Sequence, residues 1–192
     1  MDQELMARIE LIERMVSQGR RSTEYWGWCF ALWGTGQLAA IAWATFGGRP
    51  GLAWGVTMAT CGIITGLVIA RKKATQQTET LLSRSLGAIW LCFGVSISLL
   101  AFVGNPLGIF SERAFCAVFL ALMGLTSVSS GIILRWPLQA VSGIVWWLAS
   151  VVVMLDRSEK MVPWIMIAMI FVGEVVFGLY LMARERAARR HA

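Results

Sequence analysis

One carboxyl group stands inside an apolar stretch near the C-terminus. Residues 171–178 read FVGEVVFG, which places Glu174 close to the centre of a long apolar block, beside Gly173 and four residues before Gly178. A bare carboxylate at such a depth in a bilayer is costly, and an ionisable residue there points to function by default. We therefore expect Glu174 to be protonated, hydrogen-bonded across helices, or open to a water-filled cavity.

The partners available to Glu174 are uncharged, because no Lys or Arg stands at the same depth. Gln37 is the amide among them, and the two residues form a candidate intramembrane proton or ligand site. In one interpretation the site responds to protons or cations. In the other, a neutral Glu174 is only an interhelical hydrogen-bond donor, worth about 1 kcal/mol. The hydroxyl candidates are Ser96, Ser98, Ser127, Ser130, Ser142 and Ser150.

The chain has few other side chains that could take part in catalysis or bind a metal. The only histidine is His191, one residue from the end of the chain, which argues against zinc-histidine sites, bis-histidine haem and a Ser-His-Asp triad. The four cysteines lie inside apolar blocks without CxxC spacing, and no phosphate-binding GxxxxGK[ST] loop is present. We therefore expect no catalytic residue, no metal and no cofactor, and predict a protein that is not an enzyme.

The elements that carry these residues follow from composition. Hydrophobic residues make up 57% of the 192 residues and charged ones 15%, whereas a soluble domain has about 25% charged residues. A helix needs about 20 apolar residues to cross a bilayer. Six blocks meet that length, so the sequence predicts an all-α membrane bundle of six transmembrane helices. The blocks are residues 26–46, 52–70, 86–103, 114–134, 138–155 and 161–182.

The basic residues predict the orientation of the helices. With a cytoplasmic N-terminus, thirteen of the 17 Lys and Arg fall on the cytoplasmic side, and Arg49, Arg113, Arg157 and Lys160 fall outside. The positive-inside rule therefore favours two cytoplasmic termini, and we expect a bacterial inner membrane. The formal net charge of +6 comes from basic residues near the ends of the helices, where they can attract anionic lipid head groups, and it does not indicate a nucleic-acid partner. The thirteen are Arg8, Arg14, Arg20, Arg21, Arg71, Lys72, Lys73, Arg84, Arg135, Arg184, Arg186, Arg189 and Arg190.

Aromatic and small residues suggest how the helices are placed. Indole rings near the ends of transmembrane helices act as membrane-interface anchors. Stripes of small residues let helices approach closely, either inside one bundle or between copies of the chain or other subunits. The predicted anchors are Trp26, Trp28, Trp54, Trp136 and Trp164; the stripes are Gly27, Ala31, Thr35 and Ala39, then Gly62, Gly66 and Ala70, then Ala114, Ala117, Ala121, Gly124 and Gly131.

Short connections arrange the six blocks as three antiparallel hairpins. Blocks two, four and six end in GIITGLVIARKK, SVSSGIILRW and VVFGLYLMARER, each with Gly, apolar residues and then Arg. The odd blocks carry WCFALWGTG, IWLCFGVSIS and IVWWLASVV. This pattern resembles bacterial six-helix membrane proteins of the acid-resistance family called HdeD. The resemblance implies the three-hairpin fold and a role in acid stress, and it assigns no functional residue.

The segment before the first block is predicted to be an amphipathic cytoplasmic helix. Leu5, Ile9, Ile12 and Val16 share one helical face, and Gly19 would end the helix. This face lies on the membrane surface or the inner ends of the bundle, or else it binds a cytoplasmic partner through residues 2–20 or forms a short coiled coil between protomers. The predicted organisation is thus an N-terminal helix (1–25), a transmembrane domain (26–183) and a basic tail (184–192).

Overall fold

The structure is a computed structural model that describes residues 6, 26–75, 81–156 and 160–190. The described part consists of helices and short connections and contains no strand. Apart from Met6, the predicted N-terminal helix lies outside the described residues. The helices are α1 (Gly27–Gly47), α2 (Pro50–Thr75), α3 (Leu81–Leu99), α4 (Glu112–Ile133), α5 (Pro137–Leu155), α6 (Val162–Ile170) and α7 (Phe177–Arg190).

Two π-helical segments interrupt this regular pattern. Leu100–Gly104 extends α3, and Phe171–Val176 joins α6 to α7. The elements α6, Phe171–Val176 and α7 form one continuous helix, called the last helix below. The described part then has six helices long and apolar enough to cross a membrane, which confirms the six predicted blocks. The last helix runs on to Arg190, so much of the predicted basic tail continues it.

The helices belong to two compact units. The first unit contains α3, α4, α5 and the last helix as far as Met166; the second contains α1, α2 and the last helix from Ile167 onward. In the first unit α4 contacts both α3 and α5, and in the second α1 contacts both α2 and the last helix. The three-hairpin arrangement stays a prediction.

Glycines bring α4 and α5 into backbone contact. An added Cβ on Gly131 would lie 2.5 Å from the backbone nitrogen of Ala140, and one on Gly143 would lie 2.7 Å from that of Val128. Further along the same interface, Ser150 Oγ donates a hydrogen bond to the carbonyl oxygen of Ala117 at 2.8 Å. Because each step forward on α4 is a step backward on α5, the two helices are antiparallel.

The apolar core of the first unit lies where α3 meets this helix pair. The ring of Phe119 is 6.1 Å from that of Phe93 on α3 and 6.3 Å from that of Trp146 on α5, measured between centroids. Such separations are typical of favourable aromatic pairs. Trp146 and Leu120 are fully buried here. The stabilising contacts of this unit are therefore aromatic packing on one side and close backbone approach on the other.

In the second unit α1 packs antiparallel against the last helix. An added Cβ on Gly27 would lie 2.7 Å from Leu181 Cβ, and one on Gly178 would lie 2.5 Å from the backbone nitrogen of Ala31. The rings of Phe30 and Phe177 meet edge to face at 5.6 Å. The start of α1 and the end of the last helix therefore lie at the same end of this unit.

The structure distributes the predicted small-residue stripes unevenly. Most of the α4 stripe faces α5, and Gly27 and Ala31 face the last helix. Thr35 and Ala39 lie on a different face of α1, toward α2, so the spacing of four does not mark a single contact surface. Gly62 and Gly66 are exposed, and no heavy atom of the described residues lies within 4 Å of an added Cβ at either.

Candidate functional site

Glu174 and Gln37, the two residues of the candidate site, are in direct contact. Gln37 Nε2 donates hydrogen bonds to both carboxyl oxygens of Glu174, at 3.0 Å to Oε1 and 2.8 Å to Oε2. Glu174 is 2% exposed and Gln37 is 7% exposed. The contact therefore joins α1 to the last helix in a buried position, and Gln37 is the partner of Glu174 among the uncharged candidates that the sequence offered.

A glycine one turn before Gln37 allows this close approach. An added Cβ on Gly34 would lie 2.7 Å from Glu174 Cβ and 3.1 Å from the backbone nitrogen of Val175. A larger residue at Gly34 would push the last helix away and lengthen both hydrogen bonds. The buried face of α1 is thus Gly27, Gly34, Gln37 and Ala40, with an amide as its only long polar side chain.

Glu174 lies in the π-helical segment Phe171–Val176, which no local sequence pattern indicates. The buried residues Ile170, Glu174 and Gly178 follow each other four positions apart. In an α-helix, residues four apart are offset by about 40° around the axis. A π-helix bonds residues five apart and turns less per residue, which reduces that offset. The segment therefore helps to keep Glu174 and Gly178 on the face that meets α1, and Ile170 in the same buried row.

An apolar groove of about 260 Å³ lies on the other side of α1, against α2. Thr35, Thr57 and Thr60 line it, but each hydroxyl donates to a backbone carbonyl of its own helix at 2.6–2.8 Å. Cys61 also lines it, and its Sγ donates a weak hydrogen bond to the carbonyl oxygen of Leu32. The groove therefore offers apolar surface with its hydroxyl groups already paired.

Some tryptophans lie near the ends of helices, and others lie deeper within them. Trp26 and Trp136 stand immediately before α1 and α5, Trp28 and Trp54 lie in the first turns of α1 and α2, and Trp164 is 72% exposed near the start of α6. Their action as membrane anchors stays a prediction. Trp33 and Trp147 lie deeper and donate their indole N–H groups to Thr65 Oγ1 and to the carbonyl oxygen of Ala121, both at 3.0 Å.

The chemistry available at the site is that of one carboxyl group paired with one amide. Among residues 26–75, 81–156 and 160–190, no three His, Cys, Asp or Glu side chains come close enough together to hold a metal ion. The pair can exchange protons and hydrogen bonds, and it offers too few ligands to enclose a divalent cation. No protein-family model, no curated protein and no solved structure matches this chain.

Proposed function

We propose that this chain is a non-enzymatic integral membrane protein that serves as an accessory or structural subunit of a bacterial inner membrane. Both termini lie in the cytoplasm in this proposal, and residues 2–20 dock a cytoplasmic partner. The observation that supports it is the contact between Gln37 and Glu174, in which a polar pair within the membrane joins two helices.

The surroundings of Glu174 favour a structural use of its carboxyl group. Both of its oxygens accept from the same amide, and Gly34 and Gly178 bring the two backbones together on the side of the pair toward the start of α1. Interhelical hydrogen bonds and close small-residue packing are the main forces that hold helices together in a bilayer. The pair therefore acts as a polar clasp between α1 and the last helix.

Substitutions at the clasp test the structural role. In Glu174→Gln, an amide replaces the carboxyl group with nearly the same shape and can still pair with Gln37, so the free energy of unfolding should stay close to that of the wild type. Gln37→Leu leaves the buried carboxyl group without its donor and should cost about 1–3 kcal/mol. The measurement is unfolding in mixed detergent micelles. Equal stability of Gln37→Leu and wild type would contradict the clasp.

A second experiment tests the accessory role. Deleting residues 2–20 should abolish a cytoplasmic contact detected by crosslinking in cells, while the six helices still insert. Replacing Leu5, Ile9, Ile12 and Val16 together by Ser keeps the length and charges of the segment and should give the same loss. A crosslinking pattern unchanged by both variants would rule out docking through this segment.

The π-helical segment favours a second candidate function, a small proton- or cation-coupled transporter or channel that uses Glu174. Short π-helical segments inside α-helices are frequent at functional sites. Reconstituted protein would then show a pH-dependent flux of protons or cations that Glu174→Gln abolishes. The matched control is Glu112→Gln, which removes an exposed carboxyl group at the start of α4. Flux that persists in Glu174→Gln would exclude this mechanism.

A further inference from the structure

The pairing of Gln37 with Glu174 has a particular pattern of donors and acceptors. An ionised carboxyl group only accepts hydrogen bonds, a protonated one also donates one, and an amide offers two N–H donors and one carbonyl acceptor. In the structure, Nε2 faces both carboxyl oxygens. Because Gln37 supplies only a donor atom to this contact, the observed arrangement suits an ionised Glu174, in which both oxygens accept.

The same two side chains can also pair when Glu174 carries a proton. Rotation of the Gln37 amide by half a turn about its Cγ–Cδ bond exchanges Nε2 with Oε1. Gln37 Oε1 then lies where Nε2 lay, beside both carboxyl oxygens, and accepts a hydrogen bond from the carboxyl O–H. The exchanged atoms occupy nearly the same positions, so this arrangement needs no movement of either helix.

The groups around the pair supply no positive charge. The faces of α1 and the last helix that meet at Glu174 carry Gly34, Gln37 and Gly178. From α2, the titratable side chain within electrostatic range of Glu174 is Cys61, a thiol that donates to the carbonyl oxygen of Leu32. The segments 27–47, 50–70 and 162–183 contain no Lys or Arg. A proton is therefore the cation that can neutralise this carboxyl group without extra ligands.

We propose that the Gln37–Glu174 pair is a proton-binding site that takes up and releases one proton by rotation of the Gln37 amide, while α1 and the last helix remain in contact. On uptake, one O–H bond of a hydronium ion breaks and the carboxyl O–H bond forms, which leaves water; on release, the proton returns to water by the reverse step. This inference rests on the clasp of the proposed function, but it does not depend on a cytoplasmic partner.

The packing around the pair explains why the helices need not separate. Gly27, Ala31 and Gly178 hold the two backbones together through contacts that carry no charge. The rings of Phe30 and Phe177 add an apolar contact one turn away from Glu174 toward the start of α1. A change of charge at Glu174 alters only the orientation of one amide, and the surrounding contacts are the same in both states.

Infrared difference spectroscopy of the protein in lipid vesicles tests the proposal. The carbonyl stretch of a protonated carboxyl group is distinct from the stretches of a carboxylate. On acidification, the wild type should gain a protonated-carboxyl band that is absent from Glu174→Gln and retained in Glu112→Gln. In Gln37→Leu the band should move to higher frequency, because the carboxyl group has lost its partner. Should Glu174→Gln not fold, the frequency shift in Gln37→Leu assigns the band, because the carboxyl group that loses a partner in that variant is the one that pairs with Gln37.

The contact between the helices is measured in parallel. In a background without the native cysteines, Phe30→Cys with Phe177→Cys should be joined by a short bifunctional thiol reagent before and after the protonated-carboxyl band appears. At each pH the yield should equal that of the same pair in Glu174→Gln, which corrects for the slower reaction of thiols in acid. A band that appears together with a loss of crosslinking would overturn the proposal, as would the absence of the band throughout the pH range in which the protein is folded. Neither result bears on the docking of residues 2–20.

Discussion

The indole ring of Trp147 lies in the notch that Gly124 leaves on α4. An added Cβ on Gly124 would overlap the ring at Cδ1, and would lie 2.5 Å from Nε1. The same Nε1 donates a hydrogen bond to the carbonyl oxygen of Ala121, one turn earlier. Trp147 is 39% exposed, so the notch and this hydrogen bond define its position more than burial does.

Gly124→Ala should lower the free energy of unfolding by about 1–3 kcal/mol, because the new methyl group displaces the ring and breaks its hydrogen bond. Unfolding in mixed micelles measures the effect. A double-mutant cycle with Trp147→Ala isolates the contact, since the cost of Gly124→Ala should fall sharply once the ring is gone. The same cost in both backgrounds would show that the notch does not hold Trp147.

Gly143→Ala should be more damaging than an average surface change, because its Cβ would meet the backbone of Val128 and the carbonyl oxygen of Gly124. Backbone atoms cannot rotate away, so α4 and α5 must separate, at a cost of about 1–3 kcal/mol. Gly62→Ala on α2 is the matched control: it has open space around it and should be neutral or stabilising by up to about 1 kcal/mol. The same loss of stability in both variants would contradict the interface.

Arg135→Gly should stabilise the turn between α4 and α5. Arg135 has a φ of 49°, in the left-handed region that costs a residue with a side chain about 1–2 kcal/mol. Glycine relieves this strain, and its greater freedom in the unfolded chain offsets part of the gain, which leaves up to about 1 kcal/mol. The control is Arg135→Ala, which removes the same charge without relieving the strain. Thermal unfolding compares the two variants. Equal unfolding temperatures of Arg135→Ala and Arg135→Gly would argue against strain at this position.

Cysteine labelling should show that the connection after α3 and the end of the last helix lie on opposite sides of the membrane. Ile109→Cys, in the connection before α4, should react with a membrane-impermeant thiol reagent in intact cells, and Arg186→Cys should react only after permeabilisation. The reason is the excess of Lys and Arg on the predicted cytoplasmic side. The native cysteines must be replaced first. Labelling of Arg186→Cys in intact cells would invert the orientation.

The six spans could be predicted because the thickness of a bilayer sets the length of an apolar helix that crosses it, and the sequence contains six apolar blocks of that length. The contacts between the spans could not be predicted in the same way. Gly62 and Gly66 have the spacing of a helix contact and are exposed, whereas Gly143, which belongs to none of the predicted stripes, touches the backbone of α4. Spacing identifies a face of small residues, but the partner of that face depends on the whole arrangement.

The contact between Gln37 and Glu174 was among those that the sequence offered, whereas the π-helical backbone around Glu174 could not be predicted. An intramembrane carboxyl group needs a partner, and Gln37 is the one amide in the first apolar block, which made it a candidate. The π-helical segment around Glu174 has no local signature, because Val, Gly and Phe occur equally in ordinary transmembrane helices. We attribute it to tertiary packing, because the last helix presents Glu174 and Gly178, four positions apart, to α1.

The partnership of α1 with the last helix sets an order on biosynthesis. Gln37 and Glu174 are 137 residues apart, so the amide leaves the ribosome and enters the lipid well before its carboxyl partner is translated. Until Glu174 is made, the amide of Gln37 in the first helix lacks this hydrogen-bond partner. A chain truncated after α5 would therefore be a substrate for membrane quality-control proteases, although five of its six crossings are intact.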